Sequence, residues 1–223
     1  NQRRKIIAGE DPFPDENPNR PREYHGRRTL VAAVLVLGVI ALALWLAIKD
    51  SDKPLGTVGL GTTELPAVLN PERLPTAAQI GVLAPDFQLE TLKDGLYRLS
   101  DSRGGPILVN FWASWCGPCR REIPAIVRIQ DRFRSQGLVV VGVNIEEARD
   151  PATRFAEAFG VNYLIPMDFS GSVTRAYRVF GPPYTYLINS NGIVTEIIRG
   201  QAPDGLLERL VVTLLTEEAA LVR

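Results

Sequence analysis

Hydrophobic and polar positions fall into different patterns along this chain, and each pattern predicts a different kind of element. Thr29–Ile48 runs without a single charged residue and is apolar all round. At about 1.5 Å rise per residue such a helix spans roughly 30 Å, the thickness of one hydrocarbon core. The run ends in Trp45-Leu46-Ala47-Ile48-Lys49, which suits an uncleaved anchor with an interfacial Trp rather than a cleaved leader. Before it, residues 1–28 are polar and show no apolar period, which predicts an extended or disordered tail. After it, residues 49–78 are rich in Gly, Pro and Thr and read as a tether.

From Gln79 the pattern becomes that of an α/β domain. Pro85–Thr91 and Tyr97–Leu99 flank a Lys93-Asp94-Gly95 turn, predicting a hairpin. Ile107–Trp112 and Leu138–Asn144 are continuous apolar runs, predicting buried strands. Between them Ile126, Ile129 and Phe133 mark one face of a helix from Pro118 to about Gln136, stopped by Gly137 and kinked at Pro124. Asp150-Pro151 predicts an N-cap and first helical position for a helix ending near Gly160. Tyr163–Ile165 reads as a short strand and Ser172–Tyr177 as a short helix. Tyr184–Ile188 and Ile193–Ile198 form a second hairpin about Ser190-Asn191-Gly192, and an amphipathic helix runs from Asp204 to Glu218.

Composition adds limits. The chain has 223 residues and a formal net charge of zero, so no basic excess points to nucleic acid. Its single histidine, His25, lies far from the α/β region, which removes a Cys–His or Ser–His nucleophile pair there. The charge around the apolar run is uneven: Arg20, Arg22, Arg27 and Arg28 precede it, whereas Lys49 and Lys53 follow. By the positive-inside rule the tail is expected in the cytoplasm and the remainder outside, in a compartment that permits disulfides. The only two cysteines, Cys116 and Cys119, stand between the apolar strand and the helix. A C-x-x-C there can close a reversible disulfide or a structural one. No second cysteine or histidine pair completes a zinc site, so no metal is expected.

The stretch Phe111-Trp112-Ala113-Ser114-Trp115-Cys116-Gly117-Pro118-Cys119 resembles the thioredoxin active site. With Gly81–Leu92 and Arg103–Pro124, the match is similar to the membrane-anchored TlpA/ResA-like and CcmG-like thiol–disulfide oxidoreductases of the redoxin (AhpC/TSA-like) family. It extends over about Gln79 to Arg223. It implies a thioredoxin-like α/β fold: a central mixed sheet flanked by helices, an N-terminal hairpin and a central helix–strand insertion. One transmembrane helix precedes that domain.

The resemblance also implies roles. Cys116 is the nucleophile and Cys119 the resolving thiol, with no cofactor beyond their disulfide. Gly117 and Pro118 complete the motif in the C-G-P-C form, which leans toward a reductant. Trp115 is either a packed shoulder residue or a partner contact. Asn110 stands where cytoplasmic thioredoxins carry a buried aspartate, and an amide cannot titrate. Glu122, three residues after Cys119, matches the branch's E-x-P pattern. It is either a buried proton carrier or a solvated helix carboxylate. In Gly181–Ile188 the alignment makes Pro183 the cis-proline facing the disulfide, with Pro182, Pro183 and Tyr184 forming the substrate-binding loop. Pro182 departs from the family because it has no N–H for an extended substrate.

Two functions fit. One is a membrane-tethered reductase of extracytoplasmic protein disulfides, including those of apocytochrome c, recharged by a membrane thiol transporter. The other is an accessory subunit of a membrane complex. A thiol peroxidase fits poorly, because Ala113 stands where its T-x-x-C pattern needs threonine.

Overall fold

The computed structural model describes residues 36–39, 42, 60–70, 72–93 and 95–221. The chain divides into two units, 1–54 and 55–223. In the first unit the described residues, 36–39 and Leu42, are helical and exposed. The expected span Thr29–Ile48 and the polar tail otherwise lie outside the described residues. Among the described residues no helix is long and apolar enough to cross a membrane.

In the second unit the centre is a mixed five-stranded sheet. Its strands are β4 (Ile107–Trp112), β5 (Val139–Ile145), β6 (Met167–Asp168), β7 (Tyr184–Ile188) and β8 (Val194–Arg199), in the order β6-β5-β4-β7-β8. β4 runs parallel to β5 and antiparallel to β7, so both its edges are paired. All six of its residues are buried. A strand covered on both faces has no solvent side to alternate with, which explains the continuous apolar run. Its side chains still alternate. Ile107, Val109 and Phe111 join one cluster with Phe87, Tyr177 and Tyr186, and Leu108 joins another with Ile126, Phe133 and Val211.

The helices follow from local signals. α1 (Gly117–Phe133) buries Ile123, Ile126, Ile129 and Phe133 along one face, each worth about 1.5–3 kcal/mol. It passes through Pro124, continues as a 3-10 turn over Arg134–Gln136, and ends where Gly137 takes φ 89°. That left-handed conformation suits glycine and stops the helix. The last helix, α4 (Leu206–Leu221), turns Leu207, Val211 and Leu214 toward the sheet. Between these lie α2 (Arg149–Ala158) and the short α3 (Ser172–Ala176).

Three sequence expectations shift. Asp150 is not the N-cap of α2; Ala148 is, and the helix begins at Arg149. Arg149 is held by the carbonyl of Thr91 at 2.7 Å and by Glu90 at 2.6 Å, so a tertiary contact pulls the helix start forward. Pro151 still falls among the first four N–H groups, which need no helical acceptor. The strand expected at Tyr163–Ile165 is placed instead at Met167–Asp168, with Leu164 making only an isolated bridge to Val141. Along this segment Leu164, Pro166 and Asp168 accept from Gly142, Asn144 and Glu146, but Pro166 has no N–H to return. Lastly, part of the segment read as tether is built into the fold. Gly61–Thr62 form β1, which pairs with β2 (Phe87–Glu90), itself paired with β3 (Leu96–Arg98). Asp86, buried beside β2, accepts from Thr63 at 3.2 Å, Arg98 at 2.8 Å and the Ser100 N–H at 2.9 Å. Gly-Thr-Thr carries no apolar alternation by which this could be foreseen.

Gly142 on β5 leaves room where a side chain would not fit. A Cβ there would lie 2.7 Å from Tyr163 Cε2 and 2.9 Å from Trp112 Nε1, which donates to the Gly142 carbonyl at 3.1 Å. Gly142→Ala is expected to destabilise the protein by about 1–3 kcal/mol in urea unfolding, as overpacking does. A loss under about 0.5 kcal/mol would show that both rings move aside freely.

Candidate active site

β4 ends at Trp112, and the chain then turns through Ala113–Trp115 into α1. This turn is fixed from several sides. Glu147, just beyond β5, accepts from the Ser114 N–H at 2.9 Å, from the Ser114 hydroxyl, and from Asn144 Nδ2 at 2.8 Å. Arg120 returns from the first turn of α1 to donate to the Ser114 carbonyl at 3.1 and 2.9 Å. Trp112 is fully buried, packed with Ile123, Phe155 and Met167 beneath the cysteines.

Cys116 is the N-cap of α1, in extended conformation, and its sulfur accepts the Cys119 N–H at 3.1 Å. Pro118 occupies the first turn, where a missing N–H is harmless. Cys116 and Cys119 are joined as a disulfide. On reduction the same N–H and the helix macrodipole favour a thiolate at Cys116. Cys119, one turn in, is 1% exposed and packed among apolar side chains, which favours its neutral thiol. Cys116 is itself only 4% exposed.

The loop before β7 closes over this pair. The Pro182–Pro183 peptide bond is cis, and the Pro182 carbonyl oxygen lies 3.4 Å from Cys116 Sγ. The Pro183 carbonyl accepts the Gly200 N–H at 2.9 Å, tying the loop to the end of β8. Trp115 stands beside Cys116 and is 65% exposed, so it is not a packed core residue.

The pattern of the AhpC/TSA family matches residues 80–197, more than half of the chain. The chain belongs to the AhpC/TSA family. Within this family it is 40% identical over 134 residues to the thiol-disulfide oxidoreductase ResA of Geobacillus kaustophilus, covering 60% of this chain and 77% of that protein. It is 35% identical over 124 residues to ResA of Bacillus subtilis, covering 56% and 69%. A crystal structure of a thiol:disulfide interchange protein of the thioredoxin family from Chlorobium tepidum aligns with a TM-score of 0.55 at 28% identity, covering 60% of this chain and 95% of that one. The sheet order, the helix at the C-x-x-C pair and these neighbours together give a thioredoxin-like fold.

Other expected residues of this AhpC/TSA domain are placed as follows. Gly117 and Pro118 sit at the start of α1, the first exposed and the second half-buried. Tyr184 opens β7, but strand alternation turns its ring to the opposite face, against the cluster of Phe111, Tyr177 and Tyr186. Asn110 is buried on the α1 face of β4 and donates to Thr185 Oγ1 at 2.9 Å. Glu122 is 4% exposed, so it is not a solvated carboxylate.

Glu122 is also the site's most perturbed acid. Among the described residues its Oε1 accepts only a long bond from the Ala202 N–H at 3.4 Å, and its Oε2 has no partner. Burial pushes its carboxyl up to about 7, the Ala202 bond opposing weakly. Near it the hydroxyl of Tyr163 is buried and has no partner among the described residues, its own proton held more tightly by burial and by the Glu122 charge. A cleft of about 250 Å³, lined by Glu122, Arg121, Arg128, Gln201 and Glu208, opens on the other side and offers a path for protons. Glu147, Tyr163 and Ala202 had no signal in the sequence, because each meets the site only through a distant element.

Because the folded value lies above that of the unfolded chain, the folded state binds the extra proton. The stabilisation linked to Glu122 is therefore fully present below about 4.5 and is lost as pH rises through about 7, about 3 kcal/mol in all. Urea unfolding of the oxidised protein at pH 5 and pH 8 checks this against Glu122→Gln. The wild type is expected to lose more stability than the variant between the two; equal losses would place the titration elsewhere.

Proposed function

We propose that this chain reduces disulfides in exported proteins while tethered to the outer face of a membrane. It is a thiol–disulfide oxidoreductase. The observation that carries this is the Cys116–Cys119 disulfide at the N-terminus of α1, with the Cys119 N–H on the Cys116 sulfur and the Pro182 carbonyl 3.4 Å away. The names of its relatives in Geobacillus kaustophilus and Bacillus subtilis support the same chemistry.

The reaction begins from the reduced pair. The Cys116 thiolate attacks one sulfur of a substrate disulfide, the second substrate sulfur leaves as a thiolate, and it takes up a proton. Cys116 is then joined to the substrate. Cys119 gives its proton to the Glu122 carboxylate and attacks Cys116 Sγ. The remaining substrate sulfur leaves as a thiolate and is protonated. Two electrons have passed to the substrate, and the protein ends in the oxidised form described here. A carboxyl poised near 7 is suited to that transfer, whereas the amide of Asn110 is not.

The chain holds only these two cysteines, so an external dithiol must restore them. We assign that role to a membrane thiol transporter. The uncharged run Thr29–Ile48 and the arginines before it support a single anchor with the redox domain outside. Apocytochrome c is one substrate to test.

Cys119→Ser is expected to accumulate mixed disulfides with partners, because the resolving attack is lost. Cys116→Ser is expected to trap little. Non-reducing gels followed by mass spectrometry read the result, and equal trapping by both variants would reverse the assignment. For topology, protease added to spheroplasts is expected to cut between Ser51 and Val58 and to spare Arg3–Lys5. The opposite cleavage pattern would place the domain in the cytoplasm.

A further inference from the structure

Tyr163 is turned the unusual way for a tyrosine. Part of its ring reaches the surface, yet its hydroxyl is buried. A half-buried tyrosine ordinarily packs its ring and keeps its hydroxyl in water. Here the hydroxyl points inward and has no partner among the described residues. A phenylalanine would fill the same space without desolvating a donor, so the inward hydroxyl carries a cost that packing does not offset.

The ring is held from several sides. Its Cε2 lies against Gly142, 2.7 Å from where a Cβ would stand. It packs on the cluster that contains Ile126, Ile129 and Phe133 of α1. The residue before it, Asn162, donates to the Val127 carbonyl at 3.4 Å and to Asp131 at 2.8 Å, which ties this loop to α1. Glu122 stands four residues before Ile126 and three after Cys119, on the same buried face of that helix. Its Oε2 is also buried without a partner among the described residues, and its charge acts on Tyr163. A buried donor and a buried acceptor thus share the layer between α1 and the sheet.

Neighbouring groups do not supply that donor. Asn110, opposite Gly142 in the sheet, directs its Nδ2 to Thr185 Oγ1 at 2.9 Å and leaves Oδ1 over, a further acceptor. The cleft on the other side of Glu122 carries Arg121 and Arg128 from α1 and Asp204 and Glu208 from the 201–208 segment. Arg121 donates to Gln201 at 2.8 Å, and Glu208 accepts from Arg132. Arg121, Arg128 and Asp204 are exposed, where water and salt screen their effect.

We propose that Tyr163 is a positioning residue for the proton transfer: its hydroxyl turns to the Glu122 carboxylate when that acid ionises and holds it in the state that takes the Cys119 proton. This rests on the oxidoreductase reading and adds a second residue to its proton step. A hydrogen bond made to the charged form favours ionisation, so the hydroxyl lowers the proton affinity of Glu122. Tyr163 keeps its own proton throughout, since burial and the Glu122 charge both tighten its hold.

The test uses the full chain in detergent. Tyr163→Phe keeps the ring against Gly142 and removes only the oxygen. The oxidised chain, labelled with carbon-13 at its Glu carboxyl groups, is titrated by NMR, and Glu122→Gln identifies the Glu122 signal. In Tyr163→Phe the Glu122 midpoint is expected to rise by about one pH unit, a tenfold tighter hold on the proton, as loss of a hydrogen bond to a charged group implies. Kinetics give a second readout. The reduced chain is mixed with one equivalent of dithiobis(nitrobenzoate), which releases a first nitrothiobenzoate as Cys116 attacks and a second as Cys119 resolves. The second, unimolecular phase is expected to slow about fivefold at pH 7 in Tyr163→Phe and to return within about twofold of the wild type at pH 9. Beside Glu122→Gln the same substitution is expected to leave that phase unchanged. Thermal unfolding checks that each variant is folded.

An unchanged or lowered midpoint in folded Tyr163→Phe would overturn the proposal and leave the oxidoreductase reading standing. So would a slowed second phase that pH 9 does not restore, or one that persists beside Glu122→Gln, since either makes the residue a packing element alone. If the reduced wild type releases no nitrothiobenzoate, the oxidoreductase reading falls, and the proton step with it, whatever the NMR midpoint.

Discussion

The structure depends on the complete burial of β4. This strand is paired along both edges and covered on both faces, so its position and direction are fixed by the rest of the sheet. Its carboxyl end can deliver the chain to only one place, between the end of β5 and the loop before β7. The first supplies Glu147, which accepts from Ser114 and from Asn144, and the second supplies Pro182. The cysteines are thus held by a short turn whose two ends are rigid elements. Such support keeps a reactive pair in register through the cycle of oxidation and reduction.

The two sulfurs sit in unlike surroundings although three positions separate them. Cys116 caps a helix and receives an N–H; Cys119 lies inside the first turn against Trp112, Ile123 and Ile165. The first setting favours a charged sulfur and the second a neutral one. The asymmetry follows from the geometry of a helix start, with Cys116 as the N-cap and Cys119 inside the first turn. With Cys116 only 4% exposed, a partner's sulfur has to enter beside Trp115 and the Pro182 loop. Access and chemistry are therefore governed by the same few residues.

Glu122 shows what a buried acid costs and what it offers. With one long hydrogen bond from Ala202 and no partner for Oε2 among the described residues, its ionised form is poorly solvated. The neutral form is retained to about 7, where proton transfer in either direction is feasible. The strain on its charge is tolerated because α1 is anchored along its length by Ile123, Ile126, Ile129 and Phe133. Stability supplied by those apolar contacts offsets an acid that contributes none above neutrality.

Local chemistry was legible in the sequence. The apolar runs marked β4 and β5, the spacing of Ile126, Ile129 and Phe133 marked α1, and Gly137 marked its end. The resemblance carried by the C-G-P-C and G-P-P-Y-T-Y stretches located the disulfide and the cis bond. These features depend on a few consecutive residues, so period and turn chemistry suffice to reveal them. Contacts between distant segments were not legible. Only the tertiary structure buries Glu122 against the 201–208 segment and near Tyr163, turns the Tyr184 ring away from the site, and leaves Phe180 in water. It also adds β1 through Asp86 and moves the edge strand to Met167–Asp168. Burial, and with it the ionisation of an acid or the reach of a ring, is set by elements far apart in the chain. A single sequence names those residues without showing which of them meet.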